Sequence, residues 1–117
     1  MPLIHITTSA PHPEPQATDE LLGSLSKLLA REFRKPEQWV MTCLAPRAHM
    51  TFGGSGEPAC YVEIKNIGTL EAPKAEVLSG MLCEQLSRGL GVSSERIYIE
   101  FADAIGRLWG WNGTTFA

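Results

Sequence analysis

Leu3-Ile4-His5-Ile6-Thr7 reads as a short β-strand, and Tyr61-Val62-Glu63-Ile64 reads as another that starts 58 positions later, half the chain away. Both strands lead into similar segments. After Thr7 comes a proline-rich loop (Pro11, Pro13, Pro15) and then a helix, with Thr18 as the expected N-cap and Asp19 and Glu20 in its first turn, where they suit the helix dipole. Leu21, Leu22, Leu25, Leu28, Leu29 and Phe33 recur at helical spacing, Pro36 ends the helix, and Trp39-Val40-Met41-Thr42-Cys43-Leu44 is the next strand. In the second half Pro73 suits an early helix position. Val77, Leu78, Met81, Leu82, Leu86 and Leu90 form the apolar face, and Gly91 is the stop. Arg96-Ile97-Tyr98-Ile99-Glu100-Phe101 then returns as a strand, with Ile97 again 58 positions beyond Trp39. The expectation is one domain over 1–117, built from halves of about 2–58 and 59–117. Each strand–helix–strand half pairs its strands in parallel through a right-handed crossover. The two apolar helix faces cover one side of a four-stranded mixed sheet, an α+β fold.

The other side of that sheet also needs a cover. Its strands read as apolar at most positions: Leu3 beside Ile4 and Ile6, Val40 beside Trp39 and Met41, and Phe101 beside Ile97 and Ile99. Self-association is the simplest cover, and Leu108-Trp109-Gly110-Trp111 adds two tryptophans near the terminus.

An apolar fraction of 44% and a charged fraction of 20% exclude a disordered chain. A net charge of -3 without a basic stripe excludes a nucleic-acid footprint, and no apolar run approaches a membrane span. No charged-then-apolar leader opens the sequence. Cys43, Cys60 and Cys83 are an odd, widely spaced set without a CxxC, which fits a reducing compartment better than a disulfide framework. These readings point to the cytoplasm, or to export without a conventional secretory address. His5, His12 and His49 show no metal-ligand spacing. Gly54-Ser55-Gly56-Glu57-Pro58-Ala59 satisfies G-x-G-x-x-A, but it runs into a strand instead of opening a helix, so it is a turn and no dinucleotide site. No metal and no cofactor is implied.

Pro2 lies directly ahead of the first strand. A small residue at position 2 favours removal of Met1, which would leave a secondary amine held at a strand end. Such an amine is a general base when burial or a neighbouring cation lowers its pKa. Four further motifs carry a resemblance that spans Pro2 to Ala117: Met50-Thr51-Phe52-Gly53-Gly54-Ser55-Gly56-Glu57-Pro58, Ile67-Gly68, Arg96 through Asp103, and Gly110-Trp111-Asn112-Gly113-Thr114-Thr115-Phe116-Ala117. Together they resemble the macrophage migration inhibitory factor family of the tautomerase superfamily, with a short length difference near residues 11–16. The resemblance implies a catalytic amino-terminal proline and a homotrimer whose sheets line a central channel. It also implies three active sites at subunit boundaries and keto–enol tautomerisation of phenylpyruvate-like aromatic α-keto acids. By position, Pro2 is the implied base. Lys35 attracts the substrate carboxylate and depresses the pKa of Pro2, and Ile67 faces the carboxylate through its backbone. Tyr98 reaches in from the neighbouring subunit, Trp39 stands at the pocket mouth, and Trp111 and Phe116 form floor and wall.

Three positions depart from that pattern. Glu100 replaces an amide near the site mouth; a carboxylate roughly 8 Å from a bound anion repels it by about 2 kcal/mol at an effective dielectric near 20. Weaker handling of keto acids is therefore expected, improved by Glu100→Gln. Trp109 replaces a smaller residue at the rim, and Ala102 replaces an aromatic one. The resemblance also implies an alternative, a secreted cytokine-like signalling protein with vestigial tautomerase activity and a cell-surface receptor as partner. Against it, the CxxC is missing at Ala59-Cys60-Tyr61-Val62. Arg47 stands where an acidic receptor contact is expected, and His12 lies in the loop expected to carry its basic partner.

Overall fold

The computed structural model describes residues 1–117. Strand β1 (Leu3–Thr8) leads through the proline-rich loop to helix α1 (Pro15–Phe33), a 3-10 turn at Glu37–Trp39 and strand β2 (Met41–Ala45). Strand β3 (Cys60–Ile67), helix α2 (Ala72–Leu90), a 3-10 turn at Ser94–Arg96 and strand β4 (Ile97–Ala104) repeat the order. A short hairpin, β5 (Gly110–Trp111) with β6 (Thr114–Thr115), closes the chain. The sheet order is β2-β1-β3-β4, parallel within each half and antiparallel where the halves meet. Ile4 lies opposite Ile64 and Ile6 opposite Val62 at that seam.

Strand β1 alternates strictly, with Ile4, Ile6 and Thr8 buried and Leu3, His5 and Thr7 turned the other way. The inward set meets Leu25, Leu28 and Leu29 of α1 and Leu78, Leu82 and Leu86 of α2 in one core cluster. Each such leucine, once buried, contributes roughly 1.5–3 kcal/mol. Both helices lie on one face of the sheet, as expected.

Four local expectations are corrected. Helix α1 begins three residues before Thr18, because Pro15 occupies the first helical position, where a fixed φ and a missing N–H cost nothing. Thr18 is instead buried, its hydroxyl 3.2 Å from the Glu14 carbonyl one turn back. Trp39 belongs to a 3-10 turn, so β2 starts at Met41. Val77 is exposed, leaving Leu78, Leu82, Leu86 and Leu90 as the buried stripe of α2.

The fourth correction concerns the uncovered sheet face. Ile97, Ile99 and Phe101 are two apart and so share the inward face with the core. The opposite face is mixed: Cys43, His5, Glu63 and Glu100 form one row across all four strands. The Tyr61 hydroxyl lies 3.2 Å from both carboxylates of that row. Desolvation first, then Glu100 and Glu63, push the phenol's pKa up, so it stays protonated. That face also carries Leu3, Met41, Tyr61 and Tyr98, and Met41 and Tyr98 are exposed on it; Ile105, Leu108 and Trp111 are exposed beyond β4.

Candidate active site

Pro2 is fully buried, and its carbonyl accepts the Met41 N–H at 3.0 Å, which ties the entry of β1 to that of β2. Around it lies a cavity of about 250 Å³, walled by Trp39, Met41, Trp109, Trp111 and Phe116. The size suits one compact ligand, below the usual range for drug-sized pockets.

Three elements bring the aromatic wall together. The 3-10 turn after Pro36 presents Trp39, whose ring meets Trp111 edge-on at 4.7 Å and Phe116 edge-on at 5.6 Å. Trp111 and Phe116 stack at 5.9 Å. Their hairpin turns at Asn112-Gly113, both at positive φ (49° and 79°), the conformation that a two-residue hairpin turn requires. The Phe116 N–H bonds the Trp109 carbonyl at 3.1 Å. Phe116 also passes so close to Gly106 that a β-carbon there would collide with its carbonyl oxygen.

Lys35 is placed by the end of α1. Arg34 adopts a left-handed φ of 55°, and the Lys35 N–H turns back to the Ala30 carbonyl at 2.9 Å. The Lys35 ammonium then donates to the Ile67 carbonyl at 3.1 Å, joining these two candidates. The amine of Met1, one residue outward from the Pro2 nitrogen, has its pKa lowered first by burial and then by the charge of Lys35. An amine at this place is therefore biased towards the neutral, proton-accepting form.

Tyr98 and Glu100 lie elsewhere in the chain. Tyr98 pairs in register with Tyr61, and Tyr61 with Thr7, which puts it five residues along and two strands across from Pro2. At ordinary strand dimensions that is about 19 Å. Its exposed ring packs 4.8 Å from Phe52, at a separate cavity of about 280 Å³. Arg96 holds the turn beneath Phe52 by donating to the carbonyls of Phe52, Ser55, Glu57 and Pro58. The chain thus brings Pro2, Trp39, Trp109, Trp111 and Phe116 into one cavity and Lys35 with Ile67 beside it, and leaves Tyr98 and Glu100 apart.

Leu3, Gln38 and Met41 also line the cavity and were not expected there. Leu3 and Met41 are cross-strand partners at the strand entries, so pairing register was the signal that could have found them. Gln38 adjoins Trp39, and the bend of the 3-10 turn, invisible as a strand, brings it round.

The family model described as "Macrophage migration inhibitory factor (MIF)" matches residues 1–117. The chain is 33% identical to the macrophage migration inhibitory factor of Meriones unguiculatus over the whole of both chains. It is 35% identical to that of Xenopus tropicalis over 99 residues, 85% of this chain and 86% of the relative. Among solved structures, the macrophage migration inhibitory factor homologue of Prochlorococcus marinus superposes with a TM-score of 0.92 at 45% identity, covering 98% and 99% of the two chains. The Trichinella spiralis protein superposes with a TM-score of 0.86 at 30% identity, covering 97% and 99%.

Proposed function

The chain belongs to the macrophage migration inhibitory factor family, and we propose that it is a keto–enol tautomerase of phenylpyruvate-like aromatic α-keto acids. It works as a homotrimer with active sites at subunit boundaries, in the cytoplasm or outside the cell. The observation that carries the reading is the buried Pro2 in an aromatic-walled cavity, at a place where burial and Lys35 both disfavour a charged amine.

The reaction moves one proton. Once Met1 is removed, the Pro2 nitrogen takes a proton from the carbon next to the keto group, and the electron pair shifts onto the carbonyl oxygen. The same nitrogen, now protonated, returns a proton to that oxygen to give the enol. Lys35 pairs with the substrate carboxylate beside the backbone of Ile67. Trp39, Trp111 and Phe116 hold the aromatic ring, whose edge and face suit T-shaped and stacked neighbours, and Trp109 narrows the rim. Tyr98 of a neighbouring subunit donates its hydroxyl to the substrate or packs on it. Glu100 of that subunit weakens anion binding, so Glu100→Gln raises turnover.

The test has two parts. Intact-protein mass spectrometry is expected to give the mass less one methionine. Phenylpyruvate tautomerisation is expected in the wild type and reduced at least ~100-fold in Pro2→Gly, the lower end of what a positioned general base supplies. Undiminished turnover in Pro2→Gly would place the base elsewhere and overturn the reading.

A further inference from the structure

One buried polar atom has no partner in the fold: Oδ1 of Asn66, shut off from solvent without a hydrogen bond. Buried polar groups are almost always paired, so an unpaired one calls for a physical account. Pairing register places it. Leu3 lies opposite Lys65 and Ile4 opposite Ile64, and one step outward along the same ladder Pro2 stands opposite Asn66. The Pro2 carbonyl is turned towards β2, where it takes the Met41 N–H. Pro2 and Asn66 are therefore a pair without mutual backbone bonds, the kind whose Cα atoms approach to about 4.5 Å and whose side chains are nearest. Both side chains lie on the helix-covered face, Pro2 in line with Ile4 and Asn66 in line with Ile64.

The neighbouring groups do not serve that oxygen. Asp103, level with Asn66 on β4, offers only acceptors, and its Oδ1 takes the Leu70 N–H at 3.0 Å. Lys35 donates to the next carbonyl, that of Ile67. The Asn66 amide nitrogen is turned along the strand, 3.9 Å from where a Gly68 β-carbon would stand. While Met1 is attached, the Pro2 nitrogen has no proton to give. Removal of Met1 makes it a secondary amine with one N–H and one lone pair, and so creates a donor beside the waiting acceptor. The sheet order sets β3 and Asn66 on one side of Pro2, and β2 with the cavity wall of Met41 on the other.

We propose that Asn66 is a positioning residue: its Oδ1 accepts the N–H of the Pro2 amine and so turns the lone pair towards the cavity. The inference rests on the tautomerase reading, including the loss of Met1. The proton shared with Asn66 stays on the nitrogen, and the proton that moves between substrate carbon and oxygen is the one on the cavity side. An acceptor favours the charged amine over the neutral one, so Asn66 acts against Lys35. Lys35 at the end of α1 and Asp103 on β4 are the charges on this face; Lys65 of β3 is turned to the other, and Glu37 and Arg107 are exposed.

The test is an NMR titration of the Pro2 nitrogen in ligand-free protein carrying isotope-labelled proline, once the intact mass shows Met1 removed. Asn66→Leu is expected to lower the midpoint by about half a unit to one unit. Asn66→Asp, of the same shape, is expected to raise it, and loss of packing alone would not give opposite directions. In the wild type the Asn66 side-chain amide signals are expected to follow the Pro2 midpoint, a readout that needs no variant. Turnover of phenylpyruvate is expected to fall about 10-fold in Asn66→Leu with little change in KM. An unmoved midpoint in Asn66→Leu with an unchanged melting curve, or wild-type Asn66 amide signals indifferent to the Pro2 titration, would overturn the contact. Neither result bears on the tautomerase reading, which turnover of Pro2→Gly decides separately.

Discussion

A secondary amine is a base only while its lone pair is free, and an ordinary terminal amine holds its proton at neutral pH. Two causes act against the proton of the Met1 amine beside Pro2, and they can be separated. Burial penalises the charged form through lost hydration, and Lys35 penalises it through its own charge; both already lower the pKa of the Met1 amine next door. The active form of the proposed base is the unprotonated one, so a neighbouring cation moves the rising limb of the rate profile to lower pH. Lys35→Ala removes the charge and leaves the burial. The midpoint of kcat/KM against pH is therefore expected to move upward, with a higher KM for the keto acid, and Lys35→Arg is expected to keep the midpoint near that of the wild type. An unmoved midpoint in Lys35→Ala would mean that its charge is not felt at the base. At this scale the place of Pro2 in the cavity wall was legible because its position ahead of the first strand is its signal. Lys35 was legible only by resemblance, since its direction depends on a left-handed Arg34 that no local propensity announces.

Elements were legible where periodicity is long and unbroken. The leucine stripes of α1 and α2 and the doubled strand spacing led to the observed topology. Edges were less legible, because Pro15 and Thr18 are both acceptable helix openers and only packing decides between them. The face of Phe101 was misassigned by counting apolar residues without their period of two. The Asn112-Gly113 pair marks a tight turn, yet the hairpin it builds is what seats Trp111 and Phe116 against Trp39. Gly106 is the unannounced support of that hairpin. Gly106→Ala is expected to push the Phe116 backbone away, destabilise the fold by about 1–3 kcal/mol as an overpacked contact, and alter tryptophan fluorescence by parting the aromatic cluster. Unchanged fluorescence and melting would show that the segment gives way freely. The two helices are tied by Glu32, which accepts from Lys74 at 2.7 Å and from Arg31 at 3.0 Å. Lys74 first and then Arg31 hold its carboxyl below the usual range. A depressed folded pKa stabilises fully above the unfolded value and loses that contribution as pH falls through the folded one. Glu32→Gln is thus expected to cost about 0.5 kcal/mol at neutral pH and nothing in strong acid, where urea melts of the two proteins converge.

At the scale of the whole molecule, the question is how Tyr98 could serve a cavity about 19 Å away on the same sheet. Hydrogen-bonded strands do not slide, so a site holding both Pro2 and Tyr98 has to take them from different chains. The sequence hinted at association through its apolar excess, and the uncovered sheet face carries exposed Met41 and Tyr98 beside His5, Glu63 and Glu100. No one-dimensional pattern contains the distance between two residues of different copies, and so a shared site can be read only through resemblance. Mixing two inactive variants tests it. Pro2→Gly chains keep Tyr98 and Tyr98→Ala chains keep Pro2, and each homotrimer alone is expected to be weak. If the chains are unfolded together and refolded at equal ratio, each site draws its Pro2 from one chain and its Tyr98 from the next around a closed ring. Half the chains supply an intact proline, half of their neighbours supply an intact tyrosine, and about a quarter of wild-type activity per site returns. A site built within one chain admits no such rescue, since every chain carries one of the two lesions. Activity in the refolded mixture no higher than the mean of the two parents would therefore reject the shared site, provided native mass spectrometry shows that mixed trimers have formed.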